Sequence, residues 1–433
     1  MCLRIFNFKE VFMFDNVLNQ NVTSLLIEEI QKDTLPQALL FAGPKGSGKL
    51  TCAIELARVI SCQGNGLGVN GEWTCACISC LKHKALNHSS LMIVGPRECT
   101  LEIEAARKTF LHAVEASSPY IQAARYLFVR AVRKLTMRFN PILWEGEEKL
   151  SKMAPVVQNI DELLEEIDPL RTLPPFEEVQ KIADCIVTAC QKLENLFLYD
   201  SIPVAQIRRA AAWAHLTTSD GSKKVLIIEN ADRMQDSVRN ALLKILEEPP
   251  QNVLFILTTS RRAAVMPTIL SRVRTYAFVD RTPEQQREVI SRVFHEETSF
   301  DSVSAYLESF LPVSREKLSM LACSFLLTVQ NMPPLVRRII MQKFNPRDQI
   351  PVEMIINEAH NFEPRILFSL FMQEILDILR VAILEKGISS QEQKAAFSWI
   401  NVVRTTSENV SLYNQSTASA LEFLSAELSK ASS

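Results

Sequence analysis

Residues 41–51 read FAGPKGSGKLT. Gly43, Pro44, Lys45, Gly46, Ser47, Gly48 and Lys49 have the G-x-x-x-x-G-K spacing of a loop that wraps phosphate groups. In such a loop, backbone N–H groups surround the anion and the dipole of the following helix favours it. Lys49 would reach the β- and γ-phosphates. The next position normally supplies a hydroxyl to Mg2+. Here it is Leu50, and Thr51 follows about 100° further round a helix. The loop is therefore expected to bind ATP weakly or not at all, and Mg2+-dependent chemistry is expected to suffer.

Carboxylates should stand at the end of a neighbouring strand, one to hold the metal and one to orient water. The stretch LIIENADRM ends its apolar run with Glu229 and Asn230. Glu229 could serve a metal; Asn230 cannot act as a base. Asp232 reads as a helix cap. Thr259, closing the run NVLFILTTS, has the chemistry of a γ-phosphate sensor. Arg272, in PTILSRVR, could reach a phosphate bound by a neighbouring subunit and stabilise transition-state charge there.

A second constellation is sulfur-based. Cys75, Cys77 and Cys80 are bunched in CACISC, with Cys62 upstream. Four thiolates form the closed tetrahedral set of a structural Zn2+ site, which leaves no open position for catalysis. His83 and His88 are alternative fourth ligands, and Cys52 reads as core.

These residues need a scaffold. ALLFAG, KKVLIIENAD and NVLFILTTS read as buried strands, with helical patterns between and after them. Strands alternating with helices predict an α/β domain with a doubly wound parallel sheet. Residues 100–198 break that rhythm and read as a helical insertion. Within it, Arg125, Arg130, Arg133, Lys134 and Arg138 lie in a segment without acids, and 145–168 is mostly acidic. The plain reading is paired or solvated helices; the sharper one is a basic face for nucleic acid, with Tyr126 and Phe128 interleaved. From residue 281 onward only helices are expected, beginning with a cap at Thr282.

A formal net charge of −2 gives no global pull toward nucleic acid or membrane. ILFSLFMQEILDILRVAILEK is interrupted by Glu374, Asp377 and Arg380, and reads as a buried helix rather than a membrane span. The first dozen residues lack the features of a secretory leader, and Met13 is an alternative start. A reduced, cytoplasmic protein is expected.

The loop, the cysteine cluster, IPVAQIRR (202–209), ADRMQDSVRNALLKILEEPPQNVLFILTTS and MPTILSR occur in this order. Together they resemble the delta-prime and gamma/tau family of bacterial DNA polymerase III clamp-loader subunits, AAA+ proteins of the P-loop class. The resemblance covers about residues 14–95 and 200–280. It implies a RecA-like AAA+ domain (13–280, with the zinc module at about 62–90), a helical lid (281–345) and an all-α collar (346–433). It also implies a ring with gamma/tau and delta subunits that uses ATP to load the sliding clamp on primed DNA during replication. Gamma/tau subunits hydrolyse ATP; delta-prime subunits commonly have defective nucleotide sites and offer an arginine finger from a Ser-Arg-Cys motif. By resemblance Arg272 is that finger, although Val273 replaces the cysteine. Leu50 and Asn230 favour a delta-prime-like subunit that is not a competent ATPase alone.

Two alternatives stand beside this expectation. One is a gamma/tau-like ATPase in which Thr51 and Glu229 do the metal work. The other is a zinc-containing AAA+ nucleic-acid-binding regulator acting through the basic helix. A small-molecule P-loop kinase fits least.

Overall fold

The computed structural model describes residues 13–64, 71–96, 99–199, 201–217, 223–344, 350–351, 354–355, 365–384, 389–413 and 416–431. The leader question at residues 1–12 lies outside them, as does the expected lid–collar boundary at 345/346. The chain divides between Leu307 and Glu308 into two compact units.

The first unit is built on a five-stranded, wholly parallel sheet: β1 (Ala38–Ala42), β2 (Leu91–Val94), β3 (Lys224–Ile228), β4 (Val253–Thr259) and β5 (Arg274–Ala277), in the order β2-β3-β4-β1-β5. This is the doubly wound parallel arrangement expected from the alternation of strands and helices. β1 to β4 are buried along their whole length, as expected for a sheet covered on both faces. Alternate residues serve opposite faces. Leu39 and Phe41 join a core with α1 (Val22–Gln31) and α2 (Lys49–Ile60), while Leu40 and Ala42 join a second core.

That second core is supplied by the helices between β2 and β3: α4 (Thr100–Glu115), α5 (Ile121–Thr136), α6 (Leu150–Glu166), α7 (Phe176–Phe197) and α8 (Val204–His215). The short α3 (Ile78–Lys84) precedes β2. Helices were expected over 100–198 and are present. Glu194 of α7 accepts the backbone N–H groups of Cys99 and Thr100, placing a carboxylate on the start of α4, where orphan donors and the dipole favour it. After β3 come α9 (Asp236–Glu247), α10 (Pro267–Leu270) and α11 (Pro283–Phe294). The cap at Thr282 is a full capping box: its hydroxyl accepts the Gln285 N–H and the Gln285 side chain accepts the Thr282 N–H.

Strands β2 and β5 are additions to the three read from the sequence. LMIV is four residues long, and RTYA is an edge strand with two exposed positions, so neither makes the longer apolar run that marks a strand.

After α12 (Val303–Glu308), the second unit holds only helices among its described residues: α13 (Arg315–Thr328), α14 (Pro334–Lys343), α15 (Arg365–Leu384), α16 (Ser390–Tyr413) and α17 (Thr417–Ala431). Its core includes Phe325, Leu367, Phe371, Trp399 and Leu424. The apolar helix expected near residue 370 is α15, buried in that core. No helix among the described residues is long and apolar enough to cross a membrane.

Candidate nucleotide and metal sites

The phosphate loop joins β1 to α2 at the carboxyl end of the sheet, where doubly wound folds place their ligands. Gly48 caps α2 with φ +90°, a conformation that L side chains rarely adopt. Gly43 is required sterically, since a Cβ there would lie 2.4 Å from the Phe278 carbonyl oxygen. Lys49 Nζ donates to the carbonyls of Gly43 (2.7 Å) and Pro44 (2.5 Å). Leu50 is buried in the core around α1 and α2, so its side chain belongs to packing.

Arg281, a residue with no motif to announce it, also grips the loop. Its buried guanidinium donates to the carbonyls of Gly46 (2.6 Å), Ser47 (3.2 Å) and Leu18 (2.9 Å). Burial draws its pKa down from the usual arginine range.

Glu229 follows β3 and is buried. Its carboxylate forms an ion pair with Arg138, and Arg138 Nε donates to the Gly95 carbonyl at 3.0 Å. Asn230 sits in the left-handed region (φ +53°) and its amide donates to the Pro96 carbonyl at 2.6 Å. Asp232 is not a helix cap. It accepts the Thr259 hydroxyl (2.7 Å) and Arg261 Nε (3.0 Å). Burial would raise its pKa, but these bonds outweigh that and hold it below the usual carboxylate range. Thr259, at the end of β4, thus gives its hydroxyl to Asp232, while its carbonyl accepts the Gly43 N–H.

Arg272 lies between α10 and β5, half-exposed. Its guanidinium donates to Glu247 (2.6 Å) and to the Thr268 carbonyl (2.8 Å). A pair this exposed is worth about 0–1 kcal/mol, so it does not fix the arginine. Val273, where a cysteine was expected by resemblance, is buried among apolar residues.

The fold brings Cys62, Cys75, Cys77 and Cys80 together, with all four Sγ atoms within 4.8 Å of one another. Cys62 Sγ and Cys75 Sγ are 3.7 Å apart. A tetrahedron with Zn–S bonds of about 2.3 Å has an edge of about 3.8 Å, so the donor set could hold a metal ion of that kind. Cys77 caps α3 by accepting the Cys80 N–H. Arg58 donates to Cys80 Sγ (3.2 Å) and pairs with Glu55, joining the cluster to α2. His83 and His88 stand outside this set. They stack on each other at 4.1 Å, and His88 is held by Ser79 and Ser90. Burial, with the charge of neighbouring bases, pushes the His83 pKa down to about 2, so that ring is neutral.

The basic segment of α5 is not a solvent face. Arg125, Arg130, Lys134 and Arg138 are all buried. Arg125 donates to the Ile167 carbonyl, Arg130 to Lys84 and Arg133 to Ala85. Lys134 pairs with Glu102. Phe128 is likewise core. The cations complete carbonyls at the ends of α3 and α6, and the expectation of a nucleic-acid face built from them is overturned. Reversing Arg130 to Glu should destabilise the chain by more than about 3 kcal/mol in denaturant unfolding, by burying an unpaired charge. A well-folded Arg130→Glu chain with weakened, salt-dependent DNA binding would restore the discarded reading.

Known proteins share this arrangement of sequence. The Bacillus subtilis (strain 168) protein "DNA polymerase III subunit delta'" is 24% identical over 284 residues, covering 66% of this chain and 54% of that protein. A delta' subunit from Pseudomonas aeruginosa is 37% identical over 71 residues, 16% of this chain and 22% of that one. A gamma/tau subunit from Mycobacterium tuberculosis is 38% identical over 74 residues, 17% and 13% of the two chains. The chain spans at most 54% of the length of these relatives. A solved gamma subunit-related protein from Thermotoga maritima aligns with a TM-score of 0.25 and 19% identity, over 54% of this chain and 81% of that one. The family model described as "DNA polymerase III, delta subunit" matches residues 18–148 and 173–282. Most of the helical stretch 100–198 thus falls within the match, and the part outside it is 149–172, essentially α6. With more than half of its residues matched, the chain belongs to the DNA polymerase III delta subunit family.

Proposed function

We propose that the chain is a delta-prime-like clamp-loader subunit of DNA polymerase III. In this reading it works in the cytoplasm in a ring with gamma/tau and delta subunits, and acts on the sliding clamp and primer-template DNA through that complex. It lends Arg272 in trans to ATP held by a neighbour. Residues 281–345 would form the lid, 346–433 the collar, and Cys62, Cys75, Cys77 and Cys80 would hold a structural zinc ion.

The observation that carries the reading is a contrast in how the charged groups are engaged. Glu229, the side chain best suited to a metal, is buried in a pair with Arg138, and Leu50 is packed in the core. Arg272 is held at the surface by a pair that exchanges readily with solvent. A subunit wired this way is suited to activating another subunit's nucleotide rather than turning over its own.

The full chain, purified alone, should show no ATP hydrolysis above background, and Lys49→Ala should not change that. Turnover that Lys49→Ala abolishes would overturn this reading in favour of a gamma/tau-like subunit.

A further inference from the structure

The donor set for Mg2+ at the phosphate loop is incomplete in a specific way. A bound Mg2+ takes oxygen ligands from one or two carboxylates, a hydroxyl and the substrate phosphates. Leu50 removes the hydroxyl. Glu229 is present but faces a guanidinium. Ile228 pairs with Leu257 in the β3–β4 register, which sets Glu229 level with Thr258, with β4 standing between it and β1. Arg138 reaches it from the short turn Met137–Phe139 that ends α5, and is itself buried and fixed by the Gly95 carbonyl. The residues present do not fit a Mg2+ ion at this position.

We infer that Arg138 is a positioning residue that supplies the positive charge beside Glu229, so that the loop takes a nucleoside triphosphate without requiring Mg2+. This deepens the reading of a retired hydrolytic site and rests on it. The physical reasoning is electrostatic. A buried carboxylate near a triphosphate repels it unless a cation intervenes, and in hydrolytic P-loop sites that cation is the metal. Here the guanidinium is part of the fold and neutralises Glu229 whether or not metal is present. The loop itself carries Lys49 on the carbonyls of Gly43 and Pro44, and Arg281 on those of Gly46 and Ser47. Both add positive charge next to the place a triphosphate would occupy. Added Mg2+ would find only the phosphates themselves as ligands and would gain little.

The test is a titration of the full chain with a fluorescent methylanthraniloyl derivative of ATP, in Mg2+ and in EDTA. Affinity in EDTA should match that in Mg2+ within about twofold, or exceed it. Weakening by about tenfold or more in EDTA overturns the inference. In Arg138→Gln the carboxylate is no longer neutralised, so the ratio of affinities in Mg2+ and EDTA should rise to about tenfold. The double variant Arg138→Gln with Glu229→Gln removes both charges of this pair and should return the ratio to near unity. Lys134→Gln, which breaks a different pair, the one between α5 and Glu102, should leave the ratio unchanged. An Arg138→Gln ratio equal to that of the parent assigns Arg138 a purely structural role and overturns the inference. So does a full chain that binds the probe in neither condition. The trans-arginine reading survives both outcomes, since it is judged by Arg272 in the assembled complex. If Arg138→Gln fails to fold, the parent chain and the double variant still decide the matter.

Discussion

Arg272→Ala in the assembled clamp-loader complex should lower ATP turnover at the neighbouring site on the order of 10³-fold, the range seen when an arginine finger is lost. The side chain lies at the surface, so the thermal stability of the variant should match the parent within about 0.5 kcal/mol. Its removal leaves the nucleotide-binding residues of the neighbour intact. The loss should therefore appear in kcat, with little change in KM, because the guanidinium acts on charge that develops in the transition state. Arg272→Lys should rescue poorly, since an ammonium lacks the planar fork that addresses two phosphate oxygens. Glu247→Gln, which only releases the surface partner, should be nearly silent. A complex whose rate is unchanged by Arg272→Ala would remove the mechanistic core of the proposed function while leaving the fold untouched.

The second large effect concerns the four cysteines. The purified chain should carry about one zinc per molecule by elemental analysis, as a closed site of four thiolates does. Cys80→Ser should release the zinc and cost more than about 3 kcal/mol, or about 5 °C or more in Tm for a unit that runs from Met1 to Leu307. The expected cost is large because Cys80 is fully buried and connected inward. Arg58 donates to its sulfur and to Glu55, and also holds the carbonyls of Gly71 and Glu72. Losing the thiolate leaves part of that buried guanidinium without its anionic partner, and Arg58 sits on the helix that begins at the phosphate loop. Metal-free chain should be alkylated first at Cys77. Burial raises that thiol's pKa, but the N–H of Cys80 and other hydrogen bonds outweigh this and bring it to about 7, where a thiolate is available near neutrality. A chain free of zinc as purified, with stability unaffected by chelators, would sink the metal assignment.

What the sequence disclosed depended on how local each signal was. The glycine loop, the strand runs of β1, β3 and β4, and the close spacing of Cys75, Cys77 and Cys80 are local patterns, and they led to the fold and to three of the four clustered thiols. Cys62 was found as well because it stands at the end of the helix that the loop starts. The wiring of charges was not legible. Arg138 and Glu229 are 91 positions apart, and Arg281 reaches a loop 234 positions away. Pairs like these are fixed by the packing of α5 against the sheet and by the place of β5 at its edge, which no spacing rule records. The α5 cations misled for a related reason. A run of bases without acids looks solvated when each residue is weighed alone, yet Arg125, Arg130 and Arg133 are met by main-chain carbonyls, which leave no trace in composition, and Lys134 by the distant Glu102. Val273 and Leu50, departures from motif, turned out to be apolar residues in apolar surroundings, so the substitutions are coherent with the packing around them.

The buried bases have a further consequence for how the molecule presents itself at a distance. Among the described residues, Arg58, Lys84, Arg125, Arg130, Lys134, Arg138, Lys224 and Arg281 are interior, against Glu29, Glu55, Glu194, Glu229 and Asp232. Among the described residues positive charge is thus preferentially enclosed, and more of their acidic than of their basic groups face solvent. Within a Debye length of the surface, about 8 Å at physiological salt, an approaching polyanion meets these solvent-facing charges before any enclosed base. Affinity for such a polyanion then has to come from shorter range, or from the company the molecule keeps.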